Sequence, residues 1–292
     1  MSKSSATTKQ TDAPASASST AVAVAKSTAL AVIDPDFAAE LAQDSGKGFE
    51  EASRDAFAIP FLNILQDLSP QVKKKMAGYV EGARPGQFYQ TVTQGLYDQV
   101  TVIPCHFSQV FIEWIPRNKQ TSGNKTGFVA TYDAVEGSAK AKFAVRQEGK
   151  LVLPNGNELQ DTREHYVLQI LPDGSTQAAL IALKSSGLKV SRRWMSQMQT
   201  ATIEIAGKII PAPMFAFSYT LGSEEEANEQ GSWYQWTVSN RQRITDVEVY
   251  RRAKLFGASM AQGKVKVNYE EMAEQRTAPG PVETPSDLDN EM

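Results

Sequence analysis

Arg192, Arg193 and Trp194 stand side by side, with Lys184 and Lys189 just upstream, in a chain that holds four tryptophans. Guanidinium groups suit phosphate oxygens and an indole suits the flat face of an unpaired base, so this run has the chemistry of a single-strand nucleic-acid contact. Two further stretches repeat the mixture. Phe107, Phe111 and Trp114 run into Arg117 and Lys119 and then a Gly/Asn/Lys segment through Lys125. Trp233, Tyr234 and Trp236 precede Arg241 and Arg243. The run from Lys189 to Trp194 is the strongest of the three, because two adjacent arginines followed directly by an indole are hard to place in a core together. A strand buries alternate residues, so Phe107, Phe111 and half of the Trp233–Trp236 set also fit an ordinary β core. Arg251, Arg252 and Lys254 read as the solvated face of a helix, and Lys73–Lys75 has the same bland explanation.

Catalytic patterns are missing where their spacing would have to appear. Gly123-Asn124-Lys125-Thr126 lacks both the earlier glycine and the adjacent Gly-Lys of a phosphate-cradling loop. Ser186-Gly187-Leu188-Lys189 matches Ser-x-x-Lys without that motif's usual companions. His106 and His165 lack paired zinc-ligand spacing, and Cys105 beside His106 points to the opposite face of a strand. No catalytic residue, metal site or cofactor is expected.

These candidates need elements to position them. The block Phe57, Ile59, Phe61, Leu62, Ile64, Leu65 and Leu68 around Pro60 permits a helix beginning near that proline. From Gly86 to about Leu183 the apolar period becomes alternating, with strands expected over 87–93, 99–104, 109–115, 127–132, 142–145, 166–171 and 177–183. Pro154-Asn155-Gly156-Asn157 and Pro172-Asp173-Gly174 supply tight reversals. A helix follows over 191–203, then a strand pair over 214–221 and 233–238 joined by the charged segment Glu224–Glu229, then a helix over 245–260. Short strands with such turns imply a barrel or a sandwich.

Charge is unevenly shared. The last 23 residues carry seven acids against Arg276 alone, residues 1–50 carry six acids against four lysines, and residues 51–269 hold 25 bases and 20 acids. A basic body with an acidic tail suits a polyanion for which the tail competes. Residues 1–31 are rich in Ser, Ala, Thr and Lys and lack aromatics, a composition that reads as disordered, and Asp36–Gln43 has helical spacing but is short. The small apolar runs before Asp34 make a poor signal-peptide core, no stretch has the length of a membrane span, and the lone Cys105 ties nothing to an oxidising compartment. The expected setting is the host cytoplasm, with no membrane partner.

Ile59-Pro60-Phe61-Leu62-Asn63-Ile64-Leu65-Gln66, Ser69-Pro70, Gly82-Ala83-Arg84-Pro85-Gly86 and Val102-Ile103-Pro104 running into Phe111-Ile112-Glu113-Trp114 together resemble a group of tailed-phage proteins. Some of that group are similar to phage single-stranded DNA-binding proteins with an oligonucleotide-binding (OB) fold and an acidic C-terminal tail. The likeness is an order of features over about residues 57–240. It implies a replication or recombination role, with a tail that contacts replication partners and shields the DNA groove when DNA is absent. Here the tail ends Leu288-Asp289-Asn290-Glu291-Met292, without the terminal aromatic that many such tails carry.

The resulting expectation is a mainly β chain: a disordered arm over 1–50, one OB-like barrel over 51–269 elaborated by two or three helices, and a flexible acidic tail over 270–292. Its expected function is sequence-tolerant binding of single-stranded DNA, with partner proteins reached through the tail; self-association is compatible with the sequence. A phage virion structural or assembly protein is the rival from another class.

Overall fold

The structure, a computed structural model, describes residues 34–44, 47–48, 59–76, 78–120, 127–229, 231–263, 267 and 269. Of the disordered arm expected over 1–50, residues 1–33, 45–46 and 49–50 lie outside these, as does the acidic tail expected over 270–292. The chain divides into two compact units, Met1–Glu51 and Ala52–Met292. In the first, helix α1 (Pro35–Gln43) starts at Asp34, whose carboxylate accepts from the N–H groups of Asp36 and Phe37. That helix falls inside the stretch expected to lack structure.

The second unit is mainly β. Strands β1 (Leu62–Ile64), β2 (Phe88–Gln90) and β3 (Leu96–Tyr97) form a small antiparallel sheet. The main sheet is built on β4 (Val100–Trp114) and β8 (Glu158–Ile170), which pair antiparallel almost throughout. One edge of β4 is shared, by β12 (Phe217–Asn228) at Val100–Val102 and by β5 (Phe128–Asp133) at Val110–Trp114. The far edge of β8 takes β9 (Thr176–Lys184) along most of its length and β7 (Lys150–Val152), which carries β6 (Val145–Gln147), at its start. Strand β13 (Gly231–Arg243) pairs with β12 at the other limit. A separate hairpin joins β10 (Thr202–Ile205) to β11 (Lys208–Pro211). The described strands thus make a mainly β body of open antiparallel sheets, without the closure of the expected OB-like barrel: β13 and β6, at the two limits of the main sheet, do not pair with each other.

Helices cover both faces. On one face, α2 (Ala134–Ala141) sits over Phe111 and Leu159, and α3 (Gly187–Gln199) sits over His165 and Val167. The small sheet packs on this face too, through Leu62, Ile64 and Phe88. On the other, α4 (Val247–Ala261) lays Ala253 and Phe256 on Ile103, Cys105 and Leu168. Its Gly257 meets the carbonyl of Cys105 so closely that a β-carbon could not fit. Cys105 is the extra residue of a β-bulge between Pro104 and His106. Pro104 is tolerated there because it lies past the last residue paired with β12 and before the first paired with β5.

Three local expectations change. Pro60 opens no helix; its carbonyl accepts from the Leu180 N–H and the chain runs extended into β1. The charged run Glu224–Asn228 is not a connecting loop but part of β12, in register with Gln235–Gly231. Residues 142–145 mostly follow α2, which the sequence reading missed. Beyond Leu221 the β12–β13 ribbon leaves β4 and docks on the small sheet. There the Gln66 side-chain amide donates to the Tyr234 carbonyl and accepts from its N–H, the Ser223 hydroxyl donates to the Gly86 carbonyl, and Trp236 packs on Phe88 at 5.0 Å.

Candidate nucleic-acid interface

Helical geometry decides the Lys189–Trp194 run. Successive residues on a helix are turned by about 100°, so neighbours in sequence face different ways. Gly187, Ser191, Trp194 and Met198 form the buried face of α3, while Lys189, Arg192 and Arg193 are exposed. Trp194 is 1% exposed, stacks on His165 at 4.7 Å and meets Tyr219 edge-on at 5.8 Å. As a core residue it offers no face to a base, which corrects its expected stacking role. Lys184, half-buried, stands opposite Thr162 and shares the sheet face of Leu180 and Ala182, away from α3.

The first stretch is corrected in the same way. Trp114 is wholly buried against Phe128. Arg117 and Lys119 are exposed just beyond it, and Lys125 lies outside the described residues. Beside them Glu113 accepts from the Tyr132 hydroxyl (2.6 Å) and from the side-chain amides of Asn155 (2.9 Å) and Asn157. Burial alone would raise its pKa, but these donors and Lys140 outweigh it and hold the carboxyl below its usual range. The asparagines read as turn formers therefore also anchor that turn to β4. With about 3.3 Å of rise per residue, Trp114 lies roughly 40 Å along β4 from Val102, where β12 pairs. Arg117 and Lys119 are thus remote from Arg241 and Arg243 of β13.

The second and third stretches are brought together. Arg241 lies 5.1 Å from the centre of the Phe217 ring and beside the Tyr219 hydroxyl, and Tyr219 in turn packs on Trp194 of α3. Burial raises the Tyr219 pKa and the guanidinium works against that rise. Arg243 is exposed two residues further along β13. Trp233 and Trp236 are half-buried. Their cross-strand neighbours are Glu226 and Ser223, with Glu224 and Glu225 between, so carboxylates border the indoles. Sequence reasoning missed that, because it assigned those glutamates to a loop.

His165, Ser191 and Cys105 are closed off from solvent. His165 Nε2 lies 2.8 Å from the Ser191 hydroxyl, but the pair is sealed beneath Trp194, and burial, with Arg163 nearby, depresses the imidazole pKa to about 3. Burial pushes the Cys105 thiol up to about 12, far from a nucleophilic thiolate. Among the described residues no three His, Cys, Asp or Glu come together as a metal cage, and no helix is long and apolar enough to cross a membrane. What the exposed groups can do is hold anions: five cations on two adjoining elements, α3 and β13.

No curated protein and no solved structure matches the chain. A family model described as Pam3 phage gp34-like protein matches residues 25–266, which include every described strand and helix. The chain therefore belongs to the Pam3 phage gp34-like protein family.

Proposed function

We propose that the protein binds single-stranded DNA without sequence preference during phage replication or recombination. The observation that carries this reading is the joining of two cation sets, Lys189, Arg192 and Arg193 on α3 and Arg241 and Arg243 on β13, through Trp194 and Tyr219. With Trp114 and Trp194 in the core, base stacking falls to Trp233 and Trp236, and phosphate contacts dominate affinity. An open sheet serves as well as a barrel here, since the cations sit on a helix and an edge strand.

Fluorescence anisotropy of labelled oligothymidine tests the reading. Five phosphate contacts correspond to a slope of about −3.5 in log K against log salt, or about 100-fold weaker binding at 200 than at 50 mM salt. Removal of residues 270–292 is expected to tighten binding at low salt, because those carboxylates compete for the same cations. Absence of binding by both forms at low salt would end the proposal and favour a virion structural role.

A further inference from the structure

The outward face of α3 has a composition of its own. Lys189, Arg192, Arg193, Ser196 and Gln199 are all exposed, at spacings of three and four residues. The thirteen residues of the helix include no acid and, on the outside, no aromatic ring. An ordinary solvated helix face mixes both signs. The other three described α-helices each open on an aspartate cap with an acid in the first turn, as the helix dipole favours. In α3 the Ser186 side chain makes no cap hydrogen bond, the first turn has no acid, and Lys189 stands in that turn, where the dipole opposes a cation, with Arg192 and Arg193 following in the next turn. A face that departs from the local rule kept by the other helices is where a functional surface is sought first.

The chemistry of that face narrows its ligand. Unpaired bases present flat rings, and a surface that captures them needs rings of its own. A duplex hides its base faces and leaves phosphates and base edges, which are read by Lys, Arg, Ser and Gln side chains. The row from Lys189 to Gln199 spans about 15 Å on a cylinder about 10–12 Å across, dimensions compatible with a duplex groove about 12 Å wide. The half-exposed indoles lie on the adjoining strand, β13.

We infer that α3 lies against duplex DNA while the β13 side holds the unpaired strand, so that the preferred substrate is a junction between duplex and single strand. This rests on the single-strand reading above for one of its two arms. Joining the arms in one ligand makes the second contact intramolecular and raises affinity without any new contact.

The test compares three labelled ligands with the full chain: oligothymidine, a blunt mixed-sequence duplex, and that duplex carrying an oligothymidine tail. The tailed duplex is expected to bind at least about tenfold more tightly than oligothymidine. In Arg192→Gln/Arg193→Gln this advantage should disappear, with oligothymidine affinity reduced less and near-ultraviolet circular dichroism unchanged. Equal affinity for oligothymidine and tailed duplex overturns the junction and leaves the single-strand reading standing. Binding of duplex without binding of oligothymidine overturns both. Equal losses on the two ligands in the double variant remove α3 from the duplex arm and overturn the inference.

Discussion

Glu164 and His165 are neighbours in β8, buried on opposite faces of the sheet, and they respond to pH in opposite directions. Burial pushes the Glu164 carboxyl up to about 7 against the opposing hydrogen bonds from Tyr166 and Ser108, so the fold holds a proton that the unfolded chain releases from about pH 4.5 upward. Its contribution to stability falls between those two values. His165 is held down to about 3, so the unfolded chain takes up a proton below about 6.5 and stability falls as pH drops toward 3. Each group contributes up to about 1.4 kcal/mol per pH unit, and between pH 4.5 and 6.5 the two nearly cancel. Glu164→Gln should expose the histidine alone: its stability relative to wild type rises by about 1 kcal/mol per unit across that window in chemical denaturation. Parallel curves would show that the two groups do not oppose each other. At this scale the sequence was readable by residue type and misleading by order. Arg192-Arg193-Trp194 reads as a surface run, yet the turn of one residue that keeps Arg193 outside carries Trp194 into the core.

Gly257 shows how the elements are fitted together. Alanine would favour the helix by about 1 kcal/mol, but its methyl would enter the space of the Cys105 carbonyl and lever α4 off the bulge. Overpacking of this kind costs about 1–3 kcal/mol, so Gly257→Ala should lower stability in a denaturant titration. A variant as stable as wild type would mean that the bulge yields. Gly137 of α2, pressed on the Phe111 ring, is built the same way. The strands holding these contacts were legible where alternation was strong, as in β9 and β5. They were less legible where a partner overrides local preference. Pro104 suggests a strand end, and only the gap between β12 and β5 lets β4 continue through it. Glu224–Glu226 suggest a loop, and pairing with Gln235–Trp233 makes them strand. α2 escaped notice because eight residues interrupted by Gly137 give little helical period.

For the whole molecule, alternation and turn residues made a mainly β body legible, whereas closure was not, since it depends on which strands meet at the limits of the sheet. The charge division was visible directly: 25 bases against 20 acids over residues 51–269 in a chain of net charge −3. Which cation-bearing elements adjoin was not, because α3 and β13 meet only in the fold, where Tyr219 beside Arg241 packs on Trp194. An open sheet has a further consequence. A terminal strand with unpaired backbone groups is a template on which another chain can grow, and runaway assembly of that sort is a hazard for any abundantly made protein. The amide of Gln66 occupies both the N–H and the C=O of Tyr234 and so imitates one residue of a following strand. Gln66→Ala would uncover that step, and light scattering on gentle warming should then report aggregation that the wild type resists. If both stay equally clear, other contacts guard the edge. One glutamine side chain, in this view, closes the edge of β13 at Tyr234.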